Sequence, residues 1–182
     1  MINQLALAIR LDKTVGLADY VGEAGAHLSQ LHGVIYLSGQ SGSGKSHLLQ
    51  GLCHPVIKAG GSAIFLPLSE DIDADVVEGL QNYDLVCLDD VDSILEIRDW
   101  QVSLFQLINS VKDCGGKIVL AATRSIHQIH VPLKDLDSRL RAAYLISTDR
   151  LSDQQKLSVI KGKAKKRGFE MSEEVCRFIL QR

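Results

Sequence analysis

The chain has 182 residues, of which 46% are hydrophobic and 23% charged, with a formal net charge of −2. That length fits one domain, or one domain with a small appendage, and the composition can bury a real core. The near-neutral balance gives no general attraction for nucleic acid, so any such contact needs a local patch.

The four cysteines, Cys53, Cys87, Cys114 and Cys176, are widely spaced and form no Cys-x-x-Cys pair. They read as reduced thiols of a cytoplasmic protein. The N-terminus lacks a basic stretch followed by an apolar core, and no apolar run is long enough to cross a bilayer, so no membrane partner is expected.

Residues 1–11 form a mixed leader in which Gln4, Leu5, Ala6, Leu7, Ala8 and Ile9 alternate apolar and small side chains. Residues 12–25 are loop-like, with Leu17, Tyr20 and Val21 as apolar points, and a short helix is expected over 26–31. Val34, Ile35, Tyr36 and Leu37 make a first buried strand. It runs into Gly39, Gln40, Ser41, Gly42, Ser43, Gly44, Lys45 and Ser46, which match G-x-x-x-x-G-K-[ST] at every fixed position. His47, Leu48 and Leu49 then open a helix.

This is the setting in which such a loop binds phosphate. Its glycines let backbone N–H groups turn toward the anion, and the helix dipole adds positive charge. Lys45 reaches the outer phosphates, and the Ser46 hydroxyl can ligate Mg²⁺. His47 is counted with the loop, although by itself it also reads as a packing or surface residue.

The helix after the loop is expected to kink or break at Pro55, which removes an internal hydrogen bond. A second strand over 63–66 stops at Pro67, and residues 73–80 read as a short helix capped by Asp71 or Asp73. A third strand is expected over 84–88, with Leu85, Val86, Cys87 and Leu88 as its apolar run, and it ends in Asp89 and Asp90. Asp89 is placed to hold Mg²⁺ through water. Asp90 either orients an attacking water or caps the next segment.

A longer helix over 99–112 puts Trp100, Leu104, Leu107, Ile108 and Val111 on one face. A fourth strand over 117–121 leads to Thr123, whose hydroxyl either senses a γ-phosphate or bonds locally. One helical turn is expected over 125–128, a helix over 133–142 and a fifth strand over 144–147. Arg139 and Arg141 are two residues apart and cannot share a helix face. One can serve a site, acting in trans on a neighbour's nucleotide, while Arg141 can pair with Asp137.

Strand and helix alternate up to Ser147, which predicts a parallel sheet covered on both faces. Residues 149–182 are helical only, over 152–167 and again from Ser172. Two helices make a poor independent core, so they either pack on the sheet or belong to a longer chain. The lysines at 161, 163, 165 and 166 are read as cations at a helix C-terminus, with nucleic-acid contact as the alternative.

Taken with His47-Leu48-Leu49, the 85–90 and 118–124 segments and Asp137-Ser138-Arg139-Leu140, the phosphate loop resembles the DnaA branch of the AAA+ ATPases. Within that branch it resembles the Hda group, smaller homologues without the DNA-binding domain. The resemblance implies a five-stranded parallel sheet flanked by helices and followed by a helical lid. The implied division is a leader over 1–11, a nucleotide-binding α/β unit over 12–148 and a partial lid over 149–182.

The resemblance also implies site residues and partners. Gln4, Leu5 and Leu7 match a clamp-binding motif; Leu17, Tyr20 and Val21 match the adenine-lining segment; Arg139 matches an arginine finger. ADP or ATP with Mg²⁺ would be the cofactors. The partners would be the DnaA initiator and the sliding clamp (the β subunit of DNA polymerase III), with self-association open and DNA reached through the clamp. The implied function is that of a regulator that stimulates ATP hydrolysis by DnaA and prevents re-initiation. The competing reading is a self-sufficient DnaA/DnaC-like ATPase acting as initiator or helicase loader. Thr123 departs from the Asp common in the family at that position.

Overall fold

The computed structural model describes residues 11, 16–17, 20, 23–148 and 151–180. The sequence readings at Gln4, Leu5, Leu7 and Val21 lie outside the described residues. The strands are β1 (Gly33–Ser38), β2 (Ala63–Pro67), β3 (Leu85–Asp89), β4 (Lys117–Ala122) and β5 (Tyr144–Ser147). They form one all-parallel sheet in the order β2-β3-β4-β1-β5. The helices are α1 (Ala24–Gln30), α2 (Lys45–Lys58), α3 (Arg98–Asp113), α4 (Lys134–Arg141), α5 (Asp153–Lys166) and α6 (Glu173–Leu180).

Side chains alternate across a strand, so each central strand feeds two cores. Tyr36, Val86, Leu88, Ile118 and Leu120 pack with α3 on one face. Ile35, Leu37, Cys87, Val119 and Ala121 pack with α2 and Leu28 of α1 on the other. This two-sided cover explains why every residue of β3 is buried.

Two expectations need correction. The helix expected over 73–80 is instead two 3₁₀ turns, Ala74–Val77 and Leu80–Asn82. Gly79, at φ 82°, carries the chain through a left-handed step that no helix can follow. Asp73 does cap the first turn, accepting from the Asp75 amide at 3.2 Å. Nor does Pro55 interrupt α2, which continues to Lys58. The proline lies in the last turn, where it removes one intrahelical bond, and the following amides of Ala59 and Gly61 still bond to Pro55 and Val56.

Two polar contacts set the placement of functional segments. Gln101 on α3 is almost fully buried, at 1% exposure. Its Nε2 donates to the Leu95 carbonyl at 2.9 Å, and its Oε1 accepts the Leu133 amide at 3.1 Å. Leu133 is the N-cap of α4 and has no side-chain cap of its own. Gln101 therefore fixes where α4 begins. Substitution Gln101→Leu keeps the volume but strands both groups, and should cost about 1–3 kcal/mol in urea unfolding.

The second contact joins the exit of β1 to the end of β5. Thr148 donates its amide to the Ser38 carbonyl at 2.8 Å. Its hydroxyl lies 2.7 Å from that of Ser43. Gly39 passes so close that an added Cβ would sit 1.8 Å from Thr148 Oγ1. Here glycine is required by close approach. We expect Gly39→Ala to lower stability by about 1–3 kcal/mol. Adding Thr148→Ala should recover part of the loss in a double-mutant cycle; simple additivity would show that the contact is not the cause.

Candidate functional site

The loop over 39–46 crosses from β1 to α2 at the C-terminal edge of the sheet. Gly44 is the N-cap of α2 at φ 89° and ψ 17°, a left-handed conformation that turns the loop into the helix. The Gly39 amide bonds to the Ala122 carbonyl of β4 at 3.1 Å, which anchors the loop's first residue. Lys45 is buried, and its Nζ donates to the carbonyls of Gly39 at 2.6 Å and Gln40 at 3.3 Å. The ammonium is thus held inside the curve of the loop, beside the first turn of α2. Ser43 is fully buried against Thr148.

β4 lies between β1 and β3. The register pairs Leu88 with Leu120 and Leu120 with Tyr36. One step further along each strand, Asp89 stands level with Ala121 and Leu37. The carboxylate therefore emerges at the same edge as the loop. Asp89 is buried, at 2% exposure. Burial pushes its carboxyl above the usual carboxylate range, opposed by a hydrogen bond from Ser46 and by Lys45. A desolvated carboxylate sharing a hydroxyl with the first turn of α2 is a donor set that fits a hard cation such as Mg²⁺.

Asp90 follows at φ 55° and ψ 37°, and it is the only non-glycine with positive φ among the described residues. Its amide donates to Asp89 Oδ1 at 3.0 Å, a local bond that lets an Asp adopt this conformation. Asp90 is exposed at the strand end, beside Asp89.

Thr123 stands at the end of β4 and is exposed. Its amide donates to Asp92 Oδ1 and Oδ2, both at 3.1 Å, and the Arg124 amide donates to Oδ2 at 3.3 Å. Tyr36 of β1 donates its hydroxyl to the Arg124 carbonyl at 3.0 Å. Burial first, and then the Asp92 charge, push the Tyr36 phenol well above its ordinary value, so it stays a donor. Asp92 thereby ties the turn after β3 to the end of β4.

Leu17 and Tyr20 lie across α2 and the loop. An added Cβ on Gly51 would come 3.1 Å from Leu17 Cα, and one on Gly44 would come 3.3 Å from the Tyr20 ring. Tyr20, Gly44 and His47 form one wall of a cleft of about 320 Å³. Leu151, Val159 and Gly162, from α5 and the residues before it, form the opposite wall. Sequence reasoning missed the α5 side, because a helix face shows in a sequence only when its apolar periodicity is strong.

Arg139 lies elsewhere. It is exposed and makes no ion pair among the described residues. It lines a separate hollow with His32, Gly33 and Gly116. Gly33 opens β1 and Gly116 precedes β4, so Arg139 sits at the N-terminal edge of the sheet. The six residues of β1 separate that edge from the phosphate loop, a distance of about 20 Å. Arg141 faces another way, bonding Asp137 at 2.8 Å, and that contact raises its pKa further. The two arginines thus face different surroundings, as their two-residue spacing on a helix predicts.

Among the described residues, no helix is long and apolar enough to cross a membrane. Residues 17–147 match the family described as the bacterial DnaA ATPase domain, and residues 153–182 match the Hda lid domain. An uncharacterized protein of Haemophilus influenzae is 35% identical over 150 residues, covering 81% of this chain and 65% of the relative. The chain therefore spans about two thirds of the length of that curated relative. The AMPPCP-bound DnaA of Aquifex aeolicus superposes with a TM-score of 0.73 at 24% identity, covering 93% of this chain and 60% of that one. Domain III of Thermotoga maritima DnaA superposes with a TM-score of 0.79 at 20% identity, covering 93% and 81%. The sheet order, the loop at its C-terminal edge and these matches agree: the chain belongs to the DnaA family of AAA+ ATPase domains and carries an Hda-type lid.

Proposed function

We propose that this chain is an Hda-like regulator of bacterial replication initiation. It holds ADP or ATP in the cleft between the phosphate loop and α5, and it meets the DnaA initiator in a nucleotide-controlled shape. Gly39, Gln40, Ser41, Gly42, Ser43, Gly44, Lys45 and Ser46 take the phosphates, with Leu17, Tyr20, Val21 and His47 toward the base. Ser46 and Asp89 hold Mg²⁺, which neutralises phosphate charge when bound. Thr123 and Asp90 stand at the phosphate end. Gln4, Leu5 and Leu7 engage the sliding clamp as an extended peptide, the leucines filling apolar pockets while Gln4 hydrogen-bonds at the rim. DNA is reached through the clamp, and the setting is cytoplasmic.

The observation that carries this reading is the position of Arg139. A guanidinium about 20 Å from its own phosphate loop can act on a nucleotide only in another molecule. It is exposed, unlike a residue retained for packing. The Hda-type lid favours a regulator over an initiator. In the proposed reaction Arg139 stabilises the charge that develops on the phosphoryl group as DnaA hydrolyses its ATP, and the attacking water belongs to DnaA's own site.

A second reading, a self-sufficient ATPase, is favoured by one observation. Lys45, Asp89 and Asp90 meet at one sheet edge, and Asp90 is held in a left-handed conformation of the kind stored at functional sites. Steady-state hydrolysis by the chain alone, lost in Lys45→Ala, would support it.

Three measurements test the proposal. Lys45→Ala should weaken ADP binding by about tenfold or more, since a charge-assisted contact is lost; unchanged affinity would remove the phosphate loop from the site. Arg139→Ala should reduce stimulation of DnaA hydrolysis by about a thousandfold, toward background, while nucleotide and clamp binding persist. Stimulation that survives would reject the finger. Purified clamp should retain the wild-type chain but not Gln4→Ala/Leu5→Ala, and equal retention of both would reject the leader as the clamp contact.

A further inference from the structure

The corner where β4 ends is tied down from three directions. The Ala122 carbonyl accepts the Gly39 amide of the phosphate loop at 3.1 Å. The Thr123 and Arg124 amides both donate to the Asp92 carboxylate, at 3.1 and 3.3 Å. The Arg124 carbonyl accepts the Tyr36 hydroxyl at 3.0 Å. Three consecutive residues are therefore fixed by the loop, by the turn after β3 and by β1. Thr123 and Arg124 are exposed, so water could satisfy their amides and burial does not demand the Asp92 bonds.

Asp92 is held as firmly from its own side. It lies in the 3₁₀ turn Val91–Ser93, which follows Asp90 directly. Val91, Ile94 and Leu95 are buried and anchor that turn in the core. The Asp90 carbonyl accepts from the Ser93 amide at 3.0 Å and from its hydroxyl at 2.7 Å. The Asp92 side chain is 11% exposed, and its ion pair with Arg124 Nε is loose, at 3.7 Å, with the arginine side chain 48% exposed. The two backbone amides are thus its main partners, and a carboxylate makes such bonds stronger than a neutral acceptor would. The outcome is a bracket. Asp90 is on one arm and Thr123 on the other, Asp92 joins them, and Gly39 is tied to the second arm.

The loop amides and Lys45 suffice to hold a diphosphate, whereas a further phosphate group needs contacts beyond the loop. Thr123 and Asp90 are exposed at the ends of the two strands next to β1 on that side of the sheet. We propose that Asp92 is a positioning residue that fixes Thr123 relative to the loop and to Asp90, and thereby sets how the site distinguishes a nucleoside triphosphate from a diphosphate. This rests on the nucleotide reading above and deepens it. Asp92 does not touch the nucleotide; it acts through the backbone of Thr123 and Arg124. A carboxylate that only stabilised the fold would affect both nucleotides alike.

The test is titration of the full chain with ADP and with AMPPCP, a non-hydrolysable triphosphate, in the presence of Mg²⁺. Wild type is compared with Asp92→Ala and Asp92→Asn. Arg124→Gln is one control, since it removes the loose ion pair and leaves both amide bonds. Gln101→Leu is the other, a destabilising change at a distance from the loop. Asp92→Ala should bind AMPPCP about tenfold more weakly while ADP affinity stays within about twofold. Asp92→Asn keeps one acceptor oxygen and should lie between Asp92→Ala and wild type; it carries the test if thermal melting shows Asp92→Ala unfolded. Both controls should keep the wild-type ratio of the two affinities. Equal losses for both nucleotides, no loss for AMPPCP, or the same change of ratio in Gln101→Leu would overturn the inference. If wild type bound neither nucleotide, the nucleotide reading itself would fail, an outcome distinct from a wild type that binds both and variants whose ratio is unchanged.

Discussion

The contact on which the rest of the structure depends is the close approach of Gly39 to Thr148. It joins three things at one point: the exit of β1, the phosphate loop and the end of β5. A side chain at position 39 would occupy the Thr148 hydroxyl. That hydroxyl is also the partner of Ser43, which lies buried inside the loop. The loop is thus shaped from both ends, by α2 beyond Gly44 and by β5 beneath Gly39. α5 begins a few residues after Thr148, so the contact lies close in sequence to the start of the lid.

The sheet works as a spacer. Parallel strands place all their C-terminal ends on one edge, which gathers Lys45, Asp89 and Thr123. Helices return the chain to the opposite edge, which is where α4 delivers Arg139. Gln101 contributes by pinning the first residue of that return path. One domain thus carries the cleft beside the phosphate loop on one side and the exposed Arg139 on the other. That separation is what the proposed function requires, a nucleotide held for shape at one edge and an arginine offered to a neighbour at the other.

Much of this was legible in the sequence, for identifiable reasons. The phosphate loop is a motif in which each fixed residue has a backbone or charge role, so spacing alone locates it. Buried strands such as 85–88 and 118–121 are short apolar runs bounded by polar residues, and helix α3 shows its apolar face plainly. What could not be read is long-range. Nothing local marks Gln101 as the partner of an amide 32 residues away, or Thr148 as the neighbour of Gly39. Asp92 looks like any loop acid until the end of β4 arrives beside it. The helix expected over 73–80 fails because a glycine is tolerable inside a helix, while the left-handed φ of Gly79 ends one.

The central claim is that hydrolysis occurs on the partner's nucleotide and that this chain supplies the arginine. It is tested most directly by a single-turnover experiment with labelled ATP. DnaA is loaded with label and mixed with the clamp-bound, ADP-loaded chain; in the converse mixture the label is on this chain and DnaA carries none. The account predicts rapid conversion of the ATP on DnaA, with ATP on this chain left intact over the same period. Consumption of the label on this chain, with ATP on DnaA unchanged, would contradict it.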